Sequence, residues 1–462
     1  MSKKKVFVIG LDCATPQIVF EEYRDKLPNL NSLMTKGCFA KMNSTIPAIT
    51  VPAWSSMMSG RDPGELGFYG FRNRKDRTYE NLVFANSSFI KFKRVWDYLT
   101  SAGKKSIVLG VPQTYPPSKI NGYMVSSFLT PDINSNYTYP TEFKDEVKEA
   151  TDGYMIDVDN FRTDEKERLL QDIFLMTEKR FKLVNHMLDK HDDWDFFMFV
   201  EMGVDRIHHA FWKYFDKNHP KFEPGNKFEN SILDYYIYLD KEIGQLLKKL
   251  DDDTTVIVIS DHGAQSMIGG ICINEWLIKN DYLSVEDYPS EVTRINRIKI
   301  NWKKTKAWGF GGYYGRIFLN VKGREPDGVI PEVDYEKVRD ELIEKFESMT
   351  DEDGKLLGTK VFKPEDIYQK VNNIAPDLLI YFGNLTWRSV GSLGLNQVYT
   401  YENDTGPDDA NHAQHGIFIG YTPGKESKGD IDTIDILDLT PSILKIFGLK
   451  YPENFKGKAV EF

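Results

Sequence analysis

The stretch VFVIGLD, residues 6–12, decides the fold class. From Val6 to Gly10 five apolar residues, three of them β-branched, run without the polar alternation of a strand that faces water, so the strand is buried on both faces. It ends by delivering Leu11, Asp12 and Cys13 to a loop. The pattern recurs in WDFFMFVEMG (194–203) and TTVIVISDHG (254–263), and each run follows a helical stretch, DEKERLLQDIFLMTEKRFKLVNHMLDK (164–190) and Lys227 to Lys249. KSIVLGVP (105–112) reads as a further strand, and Pro28 to Met34 and Phe92 to Thr100 as short helices. Helix followed by buried strand, repeated, predicts an α/β protein, a three-layer α/β/α sandwich with a mainly parallel central sheet.

The section 287–359 breaks this rhythm. It holds RINRIKINW, GRIFLNVKGREPDG, the charged helix DYEKVRDELIEKFESM, and Gly309, Gly311, Gly312 and Gly315 close together. This predicts an inserted cap subdomain over 287–359, dividing the core into a first part, 1–286, and a second part, 360–462. The sheet pattern is expected to resume with APDLLIYFG (375–383) and HGIFIGYTPG (415–424), before a closing helix in DILDLTPSILKIFG (435–448).

Composition narrows the function classes. Fifty-nine Lys and Arg against 69 Asp and Glu give the 462 residues a formal charge of −10, which argues against a broad nucleic-acid surface and leaves room for a local pocket for a small phosphate ester. Cys13, Cys38 and Cys272 form neither a CxxC pair nor a disulfide framework, as expected of a reduced, cytoplasmic protein. The apolar run after MSKKK is too short for a signal peptide, and no stretch approaches the roughly 18 apolar residues of a membrane helix, so no membrane anchor is expected. Nothing in the pattern sets the number of subunits. A GxxxxGK[ST] loop, an HExxH signature and a GxSxG elbow are all missing from the chain.

Four separated segments bring acids and histidines to the end of an apolar run: Asp12, Asp205 with His209, Asp261 with His262, and His412 before GIFIG. In a parallel sheet such positions gather at the carboxyl edge of the strands. Asp205 and His209, four apart, share one face of a helix, and with His412 they make a three-ligand set for a divalent metal. Asp12, Asp261 and His262 make a second set, and two metals about 3.5–4 Å apart bind both the attacking and the leaving oxygen of a phosphoryl transfer. His208 rivals His209 and His415 rivals His412, while His186, His191 and His219 read as surface residues. Thr50, between Pro47 and Pro52 in IPAITVPAW, reads either as a helix cap or as a nucleophile whose hydroxyl a metal acidifies.

Taken together, GLD at Asp12, PAITVPAW at Thr50, D-x-x-x-H at Asp205, SDHG at Asp261 and H-x-x-x-G from His412 to Gly416 resemble the alkaline phosphatase superfamily, and within it the type I phosphodiesterase and nucleotide pyrophosphatase family. The resemblance implies an alkaline phosphatase-like fold and two divalent ions, zinc first and manganese as the alternative. It implies that Asp12, Thr50, Asp261 and His262 surround one metal, with Thr50 the nucleophile, and that Asp205, His209 and His412 hold the other. It also implies a phosphothreonine intermediate, hydrolysed by water at the second metal, and a nucleotide or other small phosphate ester as substrate. A phosphomonoesterase or phosphotransferase is the enzymatic alternative, and a non-catalytic metal- or phosphate-binding protein the other. Thr50 cannot become the formylglycine of sulfatases, and it stands where the mutases of the superfamily have serine.

One departure concerns the asparagine that eukaryotic members place after the nucleophile's helix. Here the region reads GFYGFRNRK, and Asn73 takes that role only if the loop bends back. Lys306, Arg316 and Arg324 are candidate anion contacts. Trp54 and Tyr69 are candidates to stack on an aromatic leaving group, with core packing their ordinary use.

Overall fold

The computed structural model describes residues 4–462. Its main sheet has ten strands. Five of them form the predicted parallel centre, in the order Thr254–Ile259, Lys5–Leu11, Phe196–Glu201, Ser106–Leu109, Gly122–Val125. The three strands first in this order are buried along almost their whole length, as an apolar run without alternation requires. Helices Pro28–Lys36, Lys166–Lys190, Gly203–Phe215 and Ser231–Leu247 pack together in one layer, and Thr50–Ser59, Val95–Ser101 and Leu439–Ile446 in another. The fold is thus the α/β/α sandwich expected. No helix among the described residues is long and apolar enough to cross a membrane.

The flank of the sheet differs from the parallel pattern. The strand His415–Tyr421 runs antiparallel to both Thr254–Ile259 and Cys38–Asn43, and Thr138–Tyr139 is antiparallel to Gly122–Val125. The sheet is therefore mixed. Reversal leaves His412 in place, because the start of an antiparallel strand lies at the same edge as the ends of its parallel neighbours.

A second unit packs against this edge. Its four-stranded antiparallel sheet joins Ala307–Phe310, Gly315–Leu319, Leu378–Tyr381 and Lys360–Phe362, and its own hydrophobic cluster runs from Ile271 to Leu393. The 287–359 section lies within it, but the unit reaches further on both sides. APDLLIYFG supplies a strand to this sheet and not to the main one. A short buried run shows that a strand exists, while the choice of sheet depends on pairing partners far away in sequence. The charged helix forms as Tyr335–Glu347 and covers this sheet with Leu342 and Phe346.

Candidate active site

Strand register builds the site. Gly10 pairs with Ile259, so continuing the parallel register by two residues sets Asp12 beside Asp261. Asp205 lies in the first turn of helix Gly203–Phe215, which leaves the end of the neighbouring strand, and its Oδ1 is 3.2 Å from His209 Nε2 one turn on. His412 sits on a short strand opposite Ala264, two residues beyond His262. Gly263 allows this closure, since a Cβ there would lie 2.2 Å from the His415 carbonyl oxygen. Thr50 is the first residue of helix Thr50–Ser59, where Pro52 has no N–H and the amides of Thr50 and Val51 are the free donors of the first turn.

All seven predicted residues meet, each at most 4% exposed. Their ligand atoms form two groups able to hold a metal ion, Asp12 with Asp261 and His262, and Asp205 with His209, His412 and Cys13, the atoms of each lying within 4.8 Å of one another. The groups abut, because the His262 and His412 rings stack at 3.8 Å. Thr50 Oγ1 is 3.3 Å from His262 Nε2.

Each imidazole is held by its other nitrogen. His412 Nδ1 is 2.9 Å from the Ala48 carbonyl and His262 Nδ1 3.1 Å from that of Gly263, while His209 Nδ1 meets both Asp408 Oδ1 at 2.8 Å and the Ala410 carbonyl at 3.0 Å. A carbonyl oxygen only accepts, so Nδ1 carries the proton and Nε2 is turned toward the carboxylates. Burial pushes His262 down to about 4 and lowers His412 too, which keeps both neutral, as metal ligands must be. Burial acts on His209 in the same sense, but Asp408 and Asp205 outweigh it and lift the imidazole to about 9.

The carboxylates need cations. Burial first, and then the neighbouring acids, push Asp12 and Asp261 well above the usual carboxylate range. Asp205 is buried as well, yet His209 and Arg206 hold it well below that range. Asp12 Oδ1, Asp261 Oδ2 and His209 Nε2 are buried without hydrogen-bond partners. Unpaired buried carboxylate atoms are costly, and a divalent ion would satisfy those of Asp12 and Asp261, while one in the other group would take His209 Nε2 as a donor. Carboxylate and imidazole donors suit zinc and manganese alike.

Several supporting residues escaped the sequence reading. Trp54, expected to pack or to stack on substrate, is fully buried and donates Nε1–H to Asp12 Oδ2 at 2.7 Å. Its ring fits because residue 10 is glycine, where a Cβ would lie 2.7 Å from the indole. Trp54→Phe keeps most of the volume but removes the donor, and metal affinity or turnover is expected to fall roughly 10–100-fold. Metal titration and initial rates measure this, and a variant equal to wild type would leave Trp54 a packing residue only.

Behind His209, Asp408 also accepts from Tyr313 Oη at 2.9 Å and Arg162 Nε at 2.9 Å, and Tyr313 stacks on the imidazole. The one available signal was PDDANH, which puts two acids shortly before His412. Cys13, read only as a free thiol, adopts φ 68° and reaches the Asp205 group.

Other candidates fall away. His208 points to the far side of its helix, where Nε2 meets Tyr236 Oη at 3.2 Å, and His415 lies outside both ligand groups. His219 is buried, not a surface residue, with Nε2 3.1 Å from the Asp409 carbonyl. Asn73 does not serve the site: it closes its own turn, accepting from the Tyr69 amide and donating to the Gly70 carbonyl. Tyr69 is a core residue whose hydroxyl donates to Asn372. Arg324 is paired with Asp377 and Glu325, and Lys306 lies over the Tyr282 ring, so only Arg316 of the three basic candidates faces the site.

Thr50, Asp205 and His412 open into a cavity of about 550 Å³. Its walls include Phe71, Phe128, Phe161 and Tyr313, and Gly311, Arg316 and Arg388 from the second unit.

Residues 6–408 match the family model described as type I phosphodiesterase / nucleotide pyrophosphatase. No curated protein sequence matches the chain. Among solved structures, human ectonucleotide pyrophosphatase / phosphodiesterase 5 is similar at 14% identity and TM-score 0.57, with 97% of this chain and 96% of that chain covered. An inactive threonine-to-alanine variant of the murine protein, in complex with AMP, is similar at 15% identity and TM-score 0.54, over 98% and 97% of the two chains.

Proposed function

The chain belongs to the type I phosphodiesterase / nucleotide pyrophosphatase family, metal-dependent hydrolases of phosphodiester and pyrophosphate bonds, and we propose that it acts through Thr50 on nucleotides or other small diesters. One observation carries this reading: the Thr50 hydroxyl, at the open end of a helix, lies 3.3 Å from His262 of one ligand group and lines the same cavity as Asp205 and His412 of the other. Asp12, Asp261 and His262 would hold one ion and Asp205, His209 and His412 the other. Such ions supply Lewis acidity toward phosphoryl oxygens and favour a deprotonated hydroxyl.

The chain's own residues account for the rest. The first-turn amides of Thr50 and Val51 bind phosphoryl oxygens. Thr50 Oγ1 forms a bond to phosphorus as the P–O bond to the leaving group breaks, giving a phosphothreonine that still carries the substrate's other ester group until water cleaves its bond to Thr50. Trp54 orients Asp12, and Asp408 fixes the ring of His209. AMP in the murine relative supports a nucleotide as substrate class. Three free, buried cysteines support a reducing, cytoplasmic setting.

The cavity favours diesters over monoesters. It has room for a group on the phosphate besides the one that leaves, and the guanidinium touching Asp205, that of Arg206, is already engaged by Asp157 and Asp205. It is not free to clamp the extra charged oxygen of a monoester. Bis-p-nitrophenyl phosphate is therefore expected to turn over faster than p-nitrophenyl phosphate with zinc- or manganese-loaded protein. A preference for the monoester would make the protein a phosphatase or phosphotransferase.

A further inference from the structure

Six arginines line the cavity that opens from Thr50, and they fall into two classes. Arg162 is paired with Asp408, Arg206 with Asp157 and Asp205, and Arg388 lies 3.6 Å from Asp404. Arg72, Arg294 and Arg316 have no carboxylate partner among the described residues. They also lie close together. Arg316 Nη1 donates to the Arg72 carbonyl at 2.7 Å, and burial together with the charges of Arg294 and Arg316 holds Arg72 below its ordinary value.

Like charges that converge without a counterion are unfavourable, and a surface arginine can ordinarily turn away into water. Here two of the three lie against aromatic planes. The Arg72 guanidinium is 4.9 Å from the centroid of Phe84, and that of Arg316 is 5.7 Å from Phe310 and 5.6 Å from Tyr314. Arg316 Nε is buried with no hydrogen-bond partner. Phe71, Leu82, Phe128, Leu129 and Ile295 line the same cavity, so apolar wall accompanies the basic edge. A planar fork with several donors matches a phosphate group, and three forks match a dianion better than a single carboxylate.

We propose that Arg72, Arg294 and Arg316 form a subsite for a second phosphate of the substrate, a terminal monoester group separated by an organic spacer from the phosphate attacked by Thr50. This rests on the reading of Thr50 as the end that takes the scissile phosphate, and it narrows the substrate class to small esters that carry two phosphates.

The test is calorimetric titration of the full-length, zinc-loaded protein with α,ω-alkanediol bisphosphates of three to eight carbons and with the matching alkyl monophosphates. Flexible spacers remove dependence on one guessed geometry. For at least one length the bisphosphate is expected to bind at least tenfold more tightly than its monophosphate, and the gain is expected to collapse toward unity in Arg72→Gln/Arg294→Gln. Raising the salt should shrink the gain as well, since the edge is open to solvent. A bisphosphate that binds no better at any length would overturn the proposal, and so would a gain that persists in the double variant. Failure of the Thr50 reading shows separately, as bis-p-nitrophenyl phosphate turnover that survives in Thr50→Ala, and the arginine dependence is then read from the bisphosphates alone.

Discussion

Thr50→Ala is expected to lower the turnover of bis-p-nitrophenyl phosphate by on the order of 10³-fold or more, because the variant removes the atom proposed to bond to phosphorus and no other hydroxyl stands at the first turn of that helix. Thr50→Ser keeps the nucleophile and loses one methyl group, so it should recover most of the deficit. Folding is not at stake. The Thr50 hydroxyl makes one hydrogen bond, to His262, and alanine is a good helix residue. Acid-quenched wild type with excess substrate should gain one p-nitrophenyl phosphoryl group on the peptide containing Thr50, and the alanine variant should not. An alanine variant within tenfold of wild type would remove Thr50 from the chemistry.

Metal removal should have the second-largest effect. With the ions gone, Asp12, Asp205 and Asp261 face one another in a buried space, so turnover should vanish and the unfolding midpoint should drop. Two ions, each at about 100 times its dissociation constant, contribute roughly 5 kcal/mol of linked stability.

The pH dependence of the metal-free protein follows from the same groups. His209 titrates at about 9 when folded, above its unfolded value, so its contribution is complete below the unfolded value and is lost as pH rises through about 9. The raised Asp12 and Asp261 act in the same sense. Below the unfolded histidine value the buried His262 and His412 act oppositely, since unfolding lets them take up protons. The metal-free protein should therefore be most stable near neutrality and weaken toward pH 9, whereas the loaded protein should not weaken over that window. Thermal melts at pH 7 and 9 with and without chelator measure both effects. A verified metal-free protein with unchanged activity and melting would sink the two-ion reading.

The sequence revealed the metal edge because its geometry is local. A buried run ends and an acid follows, at Asp12 and again at Asp261, and parallel strands deliver such acids to one edge of the sheet. That Asp205 and His209 share one face of a helix was legible from their spacing. Asp408 and Trp54 were not, because their roles arise only when residues far apart in sequence meet, and an acid or an indole has many ordinary uses. The second unit shows in the sequence as a break in rhythm, but the strand Leu378–Tyr381, expected in the main sheet, belongs to the sheet of that unit. Leu378–Tyr381 looks like any buried strand, and only its pairing with Gly315–Leu319 assigns it.

That pairing has an evolutionary consequence. The candidate metal ligands gather at one edge of the ten-stranded sheet, while Gly311, Arg316 and Arg388 stand on elements stabilised by a different hydrophobic cluster. Mutational drift in the lender of this wall is paid out of its own packing, so selection can diversify selectivity while the reactive edge is inherited unchanged. For directed evolution, codon randomisation confined to 310–312, 316 and 388–392 samples new specificities and leaves in place Tyr313, which supports His209.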